Sequence, residues 1–182
     1  MDAGVIGTGT MGRNHVRVYS EQKEVGTTYI YDLNADTAGE VAAATGAEVC
    51  RSMEELLRKA ECVSVCVPAP YRFTAIEQVL AAGVHLLIEK PLCLTSRECE
   101  EVLKRIPEGL AVGVGHIERF NPVVAEIARV VRDPVYVSFH RHNPASSRVS
   151  GSSVVEDLMI HDIDIAFNAP FPVTPEQGRS NV

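Results

Sequence analysis

The stretch Asp157-Leu158-Met159-Ile160-His161 sets a carboxylate and an imidazole four residues apart. On a helix that spacing puts both on one face. An imidazole is the side chain best suited to taking a proton near neutral pH, and a carboxylate one turn away would stabilise the imidazolium that forms. By spacing alone, the simpler reading is a helix-surface ion pair worth roughly a few tenths of a kcal/mol. A second candidate is Lys90, in Glu89-Lys90-Pro91 at the end of an apolar run. Ligands of open parallel sheets gather at the carboxyl ends of strands, and an amine there could exchange a proton with a substrate. A surface lysine before a turn proline is an equal alternative.

A third constellation is Gly7-Thr8-Gly9-Thr10-Met11-Gly12, a G-x-G-x-x-G between an apolar strand and a helix. In that setting the first glycine permits a tight turn, the second lets backbone approach a pyrophosphate, and the third lets helix pack on strand. The pyrophosphate then rests on the free N–H groups of the helix N-terminus. Asp32 follows 20 residues after Gly12, where a carboxylate would accept hydrogen bonds from an adenosine ribose. Leu33 and Asn34 come next, with no arginine to accommodate a 2′-phosphate, so NAD is expected over NADP.

Three weaker groups complete the survey. His140 and His142 share a strand face but no third ligand is evident, so no metal is expected. Asp162 and Asp164 are read as solvated or paired rather than as a cation site. His116 and Arg119 are read equally as substrate contacts or as an ordinary loop pair.

The elements that must position these groups follow from periodicity. Apolar strands are expected at 3–6, 28–31, 48–50, 62–67, 85–89 and 110–115, with helices at 11–22, 35–44, 53–59, 73–82 and 96–105 between them. Ser52 and Thr95 are N-caps with Glu55 and Glu98 at capping-box spacing, and Gly46 ends a helix. Apolar strands alternating with helices specify a parallel sheet covered on both faces. After residue 116 the pattern changes. A helix opened by Pro122, an alternating strand at 135–141, a Ser/Pro/Gly-rich loop at 143–153, a helix at 154–167 and a loose Pro-rich tail from 168 are expected. The fold class is therefore α/β, a doubly wound Rossmann sheet, joined to the incomplete start of an α+β antiparallel-sheet domain. The boundary falls at residues 118/119.

Composition narrows the function classes. The chain has 182 residues, 46 % hydrophobic, with a net charge of −7. Without a basic block, neither nucleic acid nor an anionic membrane is an expected partner. There is no signal-peptide pattern at the start and no apolar run long enough to span a bilayer. The five cysteines match no zinc or disulfide framework, so a reducing cytoplasm is expected.

The fingerprint at Gly7 to Gly12, the Glu89-Lys90-Pro91-Leu92 segment and the Asp157-x-x-x-His161 helix, in that order, resemble the Gfo/Idh/MocA oxidoreductases. These are NAD(P)-dependent sugar and cyclitol dehydrogenases, and the resemblance covers roughly residues 3 to 167. Gly115-His116-Ile117-Glu118-Arg119-Phe120-Asn121-Pro122 resembles the members acting at C3 of UDP-N-acetylglucosamine. The resemblance implies hydride transfer from a sugar or nucleotide-sugar hydroxyl to nicotinamide. His161 would be the base, with Lys90 and Asp157 orienting the substrate. Gly7, Thr8, Gly9, Thr10, Met11, Gly12, Asp32, Pro68, Glu89 and Lys90 would bind the cofactor. It also implies a homo-oligomer. Arg72 stands where many members carry a histidine. The length leads to the expectation of a truncated member, with a catalytically impaired NAD-binding or regulatory protein as the alternative.

Overall fold

The computed structural model describes residues 1–132, 134–142 and 153–168. The chain falls into two compact units, Met1–Gly115 and His116–Val182. In the first, six strands form one parallel sheet: β1 (Ala3–Ile6), β2 (Thr28–Tyr31), β3 (Glu48–Val49), β4 (Cys62–Val65), β5 (His85–Ile88) and β6 (Val112–Val114). Their order is β3-β2-β1-β4-β5-β6, with Val5 beside Ile30 on one side and Ser64 on the other. The order reverses between β1 and β4, which is where a doubly wound sheet opens its ligand crevice.

Alternation along the strands divides the core. Val5 and Ile30 pack with Val16, Ala38 and Val41 from α1 (Thr10–Glu21) and α2 (Ala35–Thr45). Ile6, Val63, Val65 and Ile88 pack with Leu56, Ile76, Val79 and Val102. These last come from α3 (Met53–Lys59), α4 (Ala69–Ala81) and α5 (Ser96–Arg105). Each fully buried Val, Ile or Leu contributes about 1.5–3 kcal/mol of transfer free energy, so two covered faces outweigh the short strand length.

The helix ends follow the side chains. Thr95 and Glu98 form a complete capping box on α5. On α3, Ser52 Oγ accepts from the Glu55 N–H, but the Glu55 carboxylate accepts from the Arg51 N–H rather than closing on Ser52. Gly46 takes φ +77° and its N–H donates to the Ala42 carbonyl, a left-handed cap that suits glycine. One expectation is corrected at α4: the helix begins at Ala69, not 73. β4 ends at Val65, short of the expected 67, and Pro68 and Pro70 open this helix instead, because a missing N–H is harmless in a first turn.

The second unit holds a 3₁₀ turn at Ile117–Phe120 and α6 (Pro122–Val130), whose N-cap Asn121 accepts from the Val123 N–H. It also holds a π-helical turn at Val155–Met159 leading into α7 (Ile160–Asn168). The expected strand at 135–141 does not form. A strand exists only through a paired neighbour, and among the described residues no strand lies beside it; Val135 and Tyr136 are left almost fully exposed. Of the loop expected at 143–153, residues 143–152 lie outside the described residues, and so does the expected tail apart from Asn168, which ends α7. No helix among the described residues is long and apolar enough to cross a membrane.

Candidate functional site

The loop from Gly7 to Gly12 is built for close approach. Gly7 has φ +88°, and a Cβ there would lie 2.9 Å from the Val67 backbone nitrogen. At Gly12 a Cβ would meet the Gly7 carbonyl oxygen at 1.8 Å, so the third glycine lets α1 start directly against the first turn. Gly9 differs: a Cβ there would meet nothing within 4 Å. It is the N-cap of α1, makes no side-chain cap bond, and the first turn carries no acidic residue. The result is a helix N-terminus with free N–H groups and open space in front of Gly9, the requirements of a pyrophosphate cradle.

Asp32 follows β2 directly. Its Oδ2 accepts from the Thr8 N–H at 2.6 Å and Thr8 Oγ1 at 3.1 Å, and its Oδ1 accepts from the Asn34 N–H at 2.8 Å. Thr8 is fully buried. The carboxylate thus staples the glycine loop to the end of β2, a role the spacing did not reveal. A carboxylate has about four lone-pair sites and three are taken, so capacity remains for a ribose hydroxyl. Asp32 also lines a cavity of about 440 Å³ with Gly7, Leu33, Met53, Pro68 and Tyr71. An apolar slot beside a carboxylate fits an adenosine half: a planar base between aliphatic walls and a ribose against the acid. Thr10 and Met11 open α1. The cradle, the slot and the carboxylate all fit a dinucleotide.

Glu89 and Lys90 leave β5 at its carboxyl end. Glu89 is buried at 5 % exposure. Burial pushes its carboxyl up, but the hydrogen bond and charge of His15, the Lys90 backbone N–H and Arg72 together hold it below the usual value. Arg72 is buried. It donates from Nε and Nη2 to the Val67 carbonyl at 3.2 and 2.8 Å and from Nη1 to the Pro91 carbonyl. The Lys90–Pro91 peptide is cis.

In the second unit, Asp157 lies in the π-helical turn and His161 in the first turn of α7. The Ile160 N–H donates to the Val155 carbonyl, five residues back. The straight α-helical spacing expected for the pair is therefore corrected: a widened turn separates them, a deviation often found at functional sites. Asp162 and Asp164 are both paired. Arg141 donates to Asp162 from Nε at 3.1 Å and Nη2 at 2.8 Å. Arg119 holds the buried Asp164 through Nε at 3.0 Å and Nη2, and Asn168 adds a bond at 3.3 Å. Arg119 thus serves as an internal clamp, and among the described residues no group of three metal-ligating side chains gathers. His140 Nε2 meets Ser138 Oγ at 2.9 Å.

A parallel doubly wound sheet with a glycine cradle at its switch point and an acid after β2 defines a dinucleotide-binding protein. Residues 1–116 match the Gfo/Idh/MocA oxidoreductase family, described by its NAD-binding Rossmann fold, and the chain belongs to that family. It is 34 % identical over 167 residues to UDP-N-acetylglucosamine 3-dehydrogenase of Acidithiobacillus ferrooxidans, covering 91 % of this chain and 53 % of that protein. It is also 34 % identical over 180 residues to inositol 2-dehydrogenase 2 of Saccharopolyspora erythraea, covering 91 % and 52 %. A solved structure of the Acidithiobacillus enzyme superposes with a TM-score of 0.84 over 92 % of this chain and 55 % of that one. GenD2 from gentamicin A biosynthesis, solved with NAD, shares the fold at 22 % identity and a TM-score of 0.79, over 92 % of this chain and 52 % of that one. The chain spans about half the length of the curated relatives it matches.

Proposed function

We propose that this chain carries the NAD-binding half and the proton-transfer residues of a dehydrogenase acting on a sugar or nucleotide-sugar hydroxyl, with C3 of UDP-N-acetylglucosamine the first substrate to test. The observation that carries the reading is the cradle of Gly7, Gly9 and Gly12 stapled by Thr8 to Asp32, within a chain 34 % identical to an enzyme of that activity. Thr10 and Met11 supply helix N-terminal N–H groups to the pyrophosphate, Asp32 holds the ribose, and Pro68 walls the adenine slot. NAD, when bound, supplies the hydride acceptor. Asp32 stands against a 2′-phosphate, which favours NAD over NADP.

His161 accepts the hydroxyl proton as the carbinol is oxidised, Asp157 stabilises the resulting imidazolium, and Lys90 orients the substrate oxygen. Five free thiols suit a cytoplasmic setting. The exposed Phe120, Val123 and Val130 suit burial in a homo-oligomer.

The test is NADH formation at 340 nm with UDP-N-acetylglucosamine, other UDP-sugars and inositols, beside NAD affinity by calorimetry. NADH formation that disappears in His161→Ala, with NAD binding retained, supports the reading. NAD binding without NADH from any of these substrates overturns the catalytic part, and no NAD binding overturns the whole.

A further inference from the structure

A chain of buried and half-buried polar groups runs through the first unit and takes no part in the cradle. Tyr19 and His15 stand on α1, Ser64 on β4, and Glu89 follows β5. Tyr19 Oη lies 2.6 Å from Ser64 Oγ, Ser64 Oγ lies 2.9 Å from His15 Nδ1, and His15 Nε2 lies 3.0 Å from Glu89 Oε1. Ser64 is fully buried and the His15 side chain is 14 % exposed, so each group depends on the next for satisfaction.

An ionised Glu89 can only accept, so His15 donates to it from Nε2. The hydroxyls of Ser64 and Tyr19 rotate to complement Nδ1, and the series ends on a carboxylate.

That carboxylate also accepts the backbone N–H of Lys90. From the other side, Arg72 bonds the carbonyl of Pro91 while gripping Val67 after β4. Three consecutive residues are therefore held: Glu89 by its side chain, Lys90 by its N–H, and Pro91 by its carbonyl.

We infer that His15 and Arg72 are positioning residues for Lys90, fixing its backbone from opposite sides through the Glu89 carboxylate and the Pro91 carbonyl. The inference rests on the reading above only in giving Lys90 a task in the reaction. His15 does not line the adenine slot, whereas Arg72 bonds the carbonyl of Val67, which does, so the deciding readout is the Lys90 amide rather than cofactor affinity.

The experiment uses the full chain and the variants His15→Ala, Arg72→Met and Arg72→Lys. Amide exchange by NMR compares Lys90 with Leu87 in β5; calorimetry gives the NAD affinity; NADH formation gives kcat and KM. In His15→Ala and Arg72→Met, the Lys90 amide exchanges at least tenfold faster with Leu87 unchanged, and kcat falls at least tenfold. Arg72→Lys, which keeps a donor, recovers a substantial part of kcat. Unchanged Lys90 exchange in both variants overturns the inference even where the wild-type chain reduces NAD. If wild type forms no NADH, the proposed reaction fails, but Lys90 exchange still decides the positioning role. Should His15→Ala or Arg72→Met fail to fold, His15→Leu fills the ring's space without a donor to Glu89. It must then accelerate Lys90 exchange, and no acceleration overturns the inference.

Discussion

Replacing Gly9 by alanine separates what the cradle does for the fold from what it does for the ligand. A Cβ at Gly9 meets nothing within 4 Å, and the backbone at φ −66°, ψ −163° is open to any residue. Two small effects act on stability. Alanine lowers the entropy of the unfolded chain, contributing about 0.4–1 kcal/mol. It is also a poorer N-cap than glycine, by about 0.5–1 kcal/mol. These nearly offset, so the denaturation midpoint should move by less than about 1 kcal/mol, or roughly 2–4 °C in a chain of this size. The new methyl group, however, occupies the space through which a pyrophosphate would approach. NAD affinity should fall at least tenfold, about 1.4 kcal/mol. Gly12→Ala should behave oppositely. Its Cβ would sit 1.8 Å from the Gly7 carbonyl oxygen, so backbone must part by about 1.5 Å to reach ordinary contact, costing about 1–3 kcal/mol or more. Urea denaturation followed by circular dichroism, beside calorimetric titration with NAD, measures both. A Gly9→Ala chain that binds NAD as tightly as wild type refutes the assignment of this loop as the pyrophosphate platform.

Three further outcomes are expected. Ser64→Ala removes the hub between Tyr19 and His15 and leaves two half-buried polar groups short of a partner, so urea denaturation should show a loss of about 1–3 kcal/mol in all; Ser64→Thr, which keeps the hydroxyl, should lose less. Arg119→Ala leaves the buried Asp164 carboxylate without its cation. Because Arg119 is 36 % exposed, the loss should be about 1–3 kcal/mol rather than the roughly 3–5 of a fully buried pair, visible as faster amide exchange along α7. Burial pushes the Cys66 and Cys93 thiols up to about 12 from an ordinary 9.0. A raised value stabilises the fold fully below pH 9 and is lost as pH rises from there toward 12. Denaturation midpoints should therefore fall between pH 9 and 11, and Cys66→Ala should flatten that slope. Glu89, held below its ordinary 4.5, adds the opposite limb, with stability lost as pH falls below that value.

The parallel sheet was legible because its strands are apolar throughout and its helices carry local caps: Thr95 with Glu98, Asn34, and Gly46 all act where their chemistry places them. The nucleotide cradle was legible because only glycine fits where a Cβ would lie 1.8 Å from a carbonyl oxygen. What escaped was long-range. Nothing local in Thr8 announces its bonds to Asp32, 24 residues away, nor in His15 its bond to Glu89, 74 residues away. One missed feature did have a local signal. Ser153 and Glu156 stand three apart, and the Ser153 hydroxyl and N–H and the Glu156 N–H and carboxylate satisfy one another, a capping box at the start of the segment that leads to His161. The strand expected at 135–141 failed for the complementary reason: alternation is written in the chain, but its partner is not among the described residues.

The widened turn at Val155–Met159 makes the spacing of Asp157 and His161 a matter of chain length. A π turn holds one residue more than an α turn, so the helix can lose a residue there and close into regular α geometry without breaking. Because the wide turn absorbs that residue, the chain on either side would keep its facing and only the turn itself would tighten. Lost between Asp157 and His161, the residue would bring acid and imidazole from four positions apart to three, a spacing that regular α geometry still sets on one face. The widened turn is a reserve of one residue, stored in the stretch between the two groups.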